Sequence, residues 1–370
     1  MMRRKINHWP FWITGPVLAV FLIIFWYGNQ AFLAQEKNPV TVLLENPLLT
    51  FGFIFTGAFL SAMAGGEFSI KLPATVGPLA FAFTGGVVMG VGSILAAMSV
   101  HSVVLFNLAG VFTLTAFMVT KGWVYAVFMI LGGWVGSKFF AYLILKNMAL
   151  KHAFVLPAVL RCEKNQRIVF GSLFIVFLLF IIAVVLMAHL AAPLKSAFIS
   201  AIVALVAFGV IVERGRVCMS SMVKEWFLAK NAYVWRTILF TIMCLGLVYQ
   251  TGLAQGFYAP IAVEAQISHL AWLVFGSFLM GVGFVFADGC FIGSLWKSGQ
   301  GNVINIVGIF GILLGTGLTQ VVIKLLPAQN AVSSLSNNMI DFISPFWFLL
   351  LLWIAGVTLF ICFKPIHYDY

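Results

Sequence analysis

Apolar residues in this chain neither alternate nor form a stripe; they run on every side of the backbone for about twenty positions at a time, the length a helix needs to cross a bilayer. Such runs occupy 11–28, 47–64, 75–97, 122–145, 168–190, 194–212, 233–251, 268–287, 302–323 and 346–363. Strands of a membrane barrel would alternate apolar and polar residues instead, so the pattern predicts helices. The run 12–27 has the length of a signal-peptide core, but 27–35 offers no small-residue cleavage site, and it is read as a first membrane helix. A further stretch, 100–118, contains Asn107 and Gly110 and is either a full span or a re-entrant half-helix.

Composition agrees. Hydrophobic residues make up 62% of the 370 positions and charged residues 8%, with a mean hydropathy of +1.09; a soluble globule carries about 25% charged residues. The net charge of +11 is not a nucleic-acid signature, because it follows topology. Arg3, Arg4 and Lys5 precede the first run, and Lys146, Lys151, Arg161, Lys164 and Arg167 fill the long polar connection 146–167. The positive-inside rule puts both on the cytoplasmic side, with 252–268 outward, and the N-terminus inside a cell inner (plasma) membrane. If all five early segments crossed, the two basic stretches would face opposite sides, so at least one re-enters. The expectation is an all-α polytopic membrane protein of about nine spans plus short re-entrant helices.

Internal similarity predicts two pseudo-symmetric halves. Met89-Gly90-Val91-Gly92 recurs as Met280-Gly281-Val282-Gly283, and the same offset places Gly110 on Gly301 and Ser99 on Cys290. The chain then divides into an N-terminal helix and outer loop (1–44), a first half (45–150), a basic connection with a linking helix (151–190), a second half (191–325) and a C-terminal helix (326–370).

Polar residues in this background carry the candidate chemistry. At 281–302 a membrane-length helix is interrupted by glycines, Asp288 and Cys290, and such a break is tolerated only where protein or a cavity surrounds it. Asp288 either caps the short helix that begins near Gly289 or hydrogen-bonds the thiol, gates passage or carries a proton. An acid beside Cys290 opposes thiolate formation, which favours a neutral thiol that donates a hydrogen bond. Lys297 is either a snorkelling helix-end lysine or an electrostatic funnel towards Cys290. Glu213-Arg214-Gly215-Arg216-Val217-Cys218 ends another apolar helix with one acid and two guanidinium groups before a thiol. It reads either as an ion-paired helix end or as an anion vestibule built on Arg214 and Arg216. Of the five cysteines, Cys244 and Cys362 sit inside apolar runs as small core residues, and Cys162 lies in the basic connection. No disulfide framework or metal site follows from their spacing, nor from His101, His189 and His269, and no cofactor is called for. Phosphate-binding, dinucleotide and catalytic-triad motifs are missing, so the chain does not read as an enzyme.

The segments Glu213 to Cys218 and Gly289-Cys290-Phe291-Ile292-Gly293-Ser294-Leu295-Trp296, with the following Gly299-Gln300-Gly301, resemble the YeeE/YedE family of sulfur-transport membrane proteins. The segment Phe51 to Pro73, with Gly57-Ala58-Phe59 and Gly66-Glu67-Phe68, is similar to that family's early repeat. The resemblance implies two helical halves pinched by re-entrant helices, uptake of thiosulfate or a related compound, and thiols that hydrogen-bond the passing anion. Cys290 and Cys218 carry over to its thiol positions. The first half departs from the pattern: it reads Ala97-Met98-Ser99-Val100-His101, so Ser99 stands where a partner thiol is expected, able to donate a hydrogen bond but not to form a persulfide.

The leading expectation is a transporter or channel for a small sulfur-containing anion, with Cys290 at the constriction, Ser99 opposite, Asp288, Cys218 and Glu213 along the pathway, and Arg214, Arg216 and Lys297 attracting charge. The alternatives are a membrane persulfide or selenium handling protein that relays sulfur to a soluble TusA-like cytoplasmic carrier, and a scaffold that does not transport. Lipid is the other expected partner.

Overall fold

The computed structural model describes residues 9–21, 47–73, 76–97, 122–145, 195–229, 231–241, 244 and 270–325. Ordered along the chain, its helices are α1 (Phe11–Phe21), α2 (Pro47–Ala64), α3 (Gly77–Ala97), α4 (Gly122–Leu145), α5 (Lys195–Gly215), α6 (Met219–Lys224), α7 (233–241), α8 (Leu270–Phe286), α9 (Phe291–Gly299) and α10 (Val303–Leu325). A π-helical turn, Glu225–Ala229, extends α6. Among the described residues there are no strands, only an isolated parallel bridge between Lys71 and Asn302. Ser99, the segment 100–118, the basic connection 146–167 and the runs 168–190 and 346–363 lie outside the described residues.

Three described stretches are long and apolar enough to cross a membrane, Gly77–Ala96, Ala271–Gly299 and Val303–Val322, and Phe11–Phe21, Phe51–Ala64 and Val127–Leu143 are shorter apolar helices. Phe310, Leu314, Leu318 and Val321 stand exposed along one face of α10, at the i, i+4 and i, i+3 spacing of a single helix stripe. The described residues are those of an all-helical membrane protein.

With lipid as apolar as the side chains, helices associate through close packing, and glycine provides it. Helices α3 and α8 run antiparallel, Gly85 against Ala287 at one end and Gly276 against Ala96 at the other. Gly283 of the second repeated tetrapeptide sits on the backbone of Met89 of the first, and Gly92 of the first sits against Met280 of the second. The two copies of the repeat therefore cross each other. On the other side of α3, Gly86, Gly90, Gly311 and Gly315 bring α10 into backbone contact. Helices α2 and α5 meet in the same way: a Cβ on Gly57 would overlap Val206, and one on Gly209 would overlap Ile54.

Two loops connect these packed pairs. Ser69 N donates to Gln300 O (3.1 Å), Lys71 N to Gly301 O (2.9 Å) and Val303 N to Lys71 O (3.3 Å). The α2–α3 loop is thus laid as a short extended segment on the α9–α10 turn, where Gly301 adopts φ +92° directly beside the Ser69 carbonyl, a conformation that favours glycine.

Candidate functional site

The apolar run through α8 stops because Asp288 takes a left-handed backbone, φ 55°. Two residues later Cys290 is extended (φ −74°, ψ 175°) and opens α9. The end of α5 repeats the device: Arg216 has φ 50°, and two residues later Cys218 (φ −149°, ψ 121°) opens α6. Each thiol therefore stands at the N-terminus of a short helix behind a non-glycine residue in a conformation that costs about 1–2 kcal/mol.

These two helix starts face each other. Cys218 Sγ lies 3.7 Å from Cys290 Sγ, and both residues are buried. The Cys290 sulfur accepts Gly293 N at 3.2 Å, as helix cap, and Met219 N at 3.3 Å. Gly293 is what allows the approach, since a Cβ there would overlap Cys218 Sγ. Trp296 Nε1 donates to Val217 O (3.0 Å) and Ser220 Oγ to Phe284 O (2.7 Å), fastening α9 to the α5–α6 turn and α6 to the end of α8. Phe51 of α2 packs on Phe291, the residue after Cys290, with ring centroids 4.0 Å apart. A pair of thiols carries two protons; one lies between the sulfurs, and the other can be donated to a third group.

Asp288 does not cap α9; Cys290 does. The Asp288 carboxylate instead holds Lys224 Nζ at 2.6 Å and Lys297 Nζ at 3.6 Å, and Lys297 also donates to the Asp288 carbonyl (2.6 Å). Lys297 is thus neither a snorkelling lysine nor an unpaired cation. Two ammonium groups meet the one Asp288 carboxylate. The cluster fixes the geometry of the break without giving it a large excess of charge.

A second polar cluster holds the other turn. Glu213 is buried, 1% exposed, yet satisfied: Ser61 Oγ donates to it at 2.6 Å, Gln300 Nε2 at 2.8 Å, and Arg214 Nε lies at 3.6 Å. Arg214 also donates to Ser61 O (2.7 Å) and lies against Gly65. Arg216 pairs with Glu67 at 3.5 Å, and Gln300 reaches the same carboxylate at 3.5 Å. Both arginines are therefore ion-paired, and of the two only Arg216, 40% exposed in its side chain, meets solvent widely.

Sequence reasoning singled out Cys218, Cys290, Asp288, Glu213, Arg214, Arg216 and Lys297; the structure brings the thiols together and sorts the charges into two clusters. Among the described residues the group facing Cys290 is Cys218; Ser99, expected there, lies outside the described residues. Lys224, Glu67, Ser61 and Gln300 were missed. Lys224 sits four residues after Ser220 on a six-residue helix, and Gln300 is a neutral amide in a turn, so neither stands out by hydropathy. No group of three or more His, Cys, Asp or Glu side chains suited to a metal occurs among the described residues.

By sequence the chain falls in a class of membrane transport proteins. The sequence profile of the sulphur transport family matches residues 2–135 and 214–368, and the chain belongs to that family. It is 31% identical over 98 residues to the thiosulfate transporter TsuA of Spirochaeta thermophila, covering 25% of this chain and 28% of that one. It is 24% identical over 281 residues to the probable transporter YedE of Salmonella typhimurium, covering 75% of this chain and 65% of that one. The chain thus spans less than two thirds of the length of either relative. No solved structure matches it.

Proposed function

We propose that this protein carries a small sulfur-containing anion, thiosulfate-like, across the inner membrane by hydrogen bonding to the Cys218–Cys290 thiol pair. The observation that carries the reading is the pair itself: two buried thiols 3.7 Å apart at a backbone break between apolar helices. Broken helices in a membrane mark binding sites, because their free N-terminal groups and side chains face the permeant. A sulfur anion is weakly hydrated at its sulfur end, so soft thiol donors replace its water with little cost and release it readily. No bond to the substrate is made or broken, and no enzymatic step is required.

In this reading the chain has about nine spans in two pseudo-symmetric halves, 45–150 and 191–325, flanked by 1–44, 151–190 and 326–370, with the N-terminus and the connection 146–167 cytoplasmic. The antiparallel crossing of the repeated tetrapeptides on α3 and α8 supports the two halves. Ser99, by the repeat offset, lines the pathway from the first half. A TusA-like carrier would receive the sulfur after entry, and lipid surrounds the helices.

The closeness of the thiols weighs against the persulfide relay. A persulfide formed on Cys290 would have the Cys218 thiol beside it; attack on its inner sulfur makes a Cys218–Cys290 disulfide and expels hydrogen sulfide, which ends the relay. The deciding experiment is uptake of radiolabelled thiosulfate by a sulfur-starved host that depends on this chain. Uptake that survives Cys218→Ser but fails in Cys290→Ala supports hydrogen-bonded passage. A cysteine peptide heavier by one sulfur atom after turnover would instead favour the covalent relay, and no uptake by the unmodified chain would refute transport of thiosulfate.

A further inference from the structure

The two short helices that begin at the thiols also end alike. Lys224 closes α6 and Lys297 lies in the last turn of α9. Both reach one residue: Lys224 Nζ is 2.6 Å from Asp288 Oδ1, while Lys297 Nζ is 3.6 Å from Asp288 Oδ2 and donates to the Asp288 carbonyl at 2.6 Å. Long side chains on a helix lean toward its N-terminus, which is why a lysine near the end of α9 meets a residue that precedes that helix. The Lys224 ammonium also stands 5.1 Å from the centre of the Phe140 ring of α4. Glu225, next in the chain, is held by Asn231 Nδ2 at 3.0 Å.

Asp288 and Lys297 lie in Ala271–Gly299, a stretch apolar enough to cross a membrane, where charged side chains turn to a water-filled cavity rather than to lipid. The side chains of Asp288, Lys224 and Lys297 are 38%, 24% and 17% exposed, so a solute can reach the cluster and the carboxylate is the group freest to turn away. Of the three N–H donors on each ammonium group, hydrogen bonds within the cluster use one, from Lys224 to Asp288 Oδ1 and from Lys297 to the Asp288 carbonyl. With the carboxylate in place the cluster carries one positive charge in excess; with it turned aside, two ammonium groups stand ready for a doubly charged anion.

We propose that Lys224 and Lys297 form an anion-binding station on the transport pathway which the Asp288 carboxylate fills when no substrate is there, so that a divalent sulfur oxyanion enters by displacing it. The tethered carboxylate is then an internal competitor. It keeps two lysines from holding the permeant too tightly to release it, and it favours doubly charged anions, since a single charge gains little by exchange with a carboxylate already in place. The station is separate from the thiol pair and requires no anion that touches both. It rests on the transport reading above and adds to it the basis of selection by charge.

Asp288→Asn removes the charge and keeps the left-handed turn, which asparagine adopts as aspartate does. The purified full chain is melted in detergent with sodium thiosulfate or with sodium chloride at equal ionic strength. Asp288→Asn is expected to melt below the unmodified chain in chloride and to gain more from thiosulfate than that chain does, because the anion binds only the folded state; Lys224→Gln should gain less. In proteoliposomes with radiolabelled thiosulfate, Asp288→Asn should lower both KM and the maximal rate, and Lys224→Gln should raise KM about tenfold. Inhibition by thiocyanate, which has a terminal sulfur and one charge, should change much less in Lys224→Gln. A cluster that only holds the fold would leave Asp288→Asn destabilised with no added gain from thiosulfate, and that result overturns the station. So does an unchanged KM in Lys224→Gln that retains uptake, or equal weakening of thiosulfate and thiocyanate. Melting does not depend on transport: if the unmodified chain takes up no thiosulfate the transport reading fails, and the thiosulfate-dependent melting still decides whether the lysines bind a divalent anion.

Discussion

Arg216 and Asp288 stand in equivalent places, each in a left-handed backbone conformation (φ 50° and 55°) two residues before a cysteine that opens a short helix. Neither is glycine, although glycine would adopt that conformation without strain. Both side chains are used. Arg216 holds Glu67 of the α2–α3 loop, and Asp288 holds Lys224 and Lys297. The turns accept local strain in exchange for contacts that aim the cysteines.

This separates backbone from side chain by experiment. At either position alanine removes the side chain and keeps the strain, whereas glycine removes both. Asp288→Gly and Arg216→Gly should each be more stable than the matching alanine variant by about 1 kcal/mol, while both fall below the unmodified chain. Denaturation midpoints in detergent give the comparison. Alanine variants as stable as the glycine ones would show that the left-handed turns are not held in solution.

Much of the architecture was legible from apolar runs because, in lipid, run length alone defines a helix: 47–64 and 122–145 coincide with α2 and α4, and 268–287 and 302–323 come within two residues of α8 and α10. The break at Asp288 and Cys290 was legible for the same reason, since a carboxylate inside such a run needs a partner. Its partners were not legible. Lys224 reaches Asp288 only after α6 folds back on α8, and Cys218 meets Cys290 across 72 positions of sequence. The residue that the repeat offset pointed to, Ser99, lies outside the described residues.

The thiol pair should be open to cross-linking. Treating the full chain with copper phenanthroline, which removes two electrons and two protons from the pair, is expected to join Cys218 to Cys290 with small side-chain rotations and to block uptake. Dithiothreitol should restore it, and Cys218→Ser should be indifferent to the oxidant. Full uptake by protein in which peptide mapping shows the 218–290 bridge would remove the thiols from the pathway.

Gly293 tests how much the spacing of the sulfurs matters. In a helix interior glycine to alanine ordinarily stabilises by about 1 kcal/mol. Here the new methyl group overlaps Cys218 Sγ and lies 3.2 Å from Cys290 Sγ, so Gly293→Ala should push the thiols apart and cut uptake even where the protein still reaches the membrane. An alanine variant that is more stable and fully active would show that the pair has room to spare.

Arg214 and Arg216, alike in sequence, should behave differently. Arg214 donates to the Ser61 carbonyl, pairs with buried Glu213 and fills the space beside Gly65. Arg214→Gln therefore leaves a buried carboxylate short of its positive charge and should lower the amount of folded protein, a loss of about 1–3 kcal/mol. Arg216 is the more exposed of the two and its pair with Glu67 is long at 3.5 Å, so Arg216→Gln should leave abundance nearly unchanged. Its effect should fall on capture of the anion: weaker uptake at low substrate concentration, most evident at low ionic strength and fading near physiological salt, where charges are screened beyond about 8 Å. Uptake rates across a salt series, normalised to protein in the membrane, separate the two roles. A salt-independent loss for Arg216→Gln, or normal abundance for Arg214→Gln, would show that these assignments are wrong.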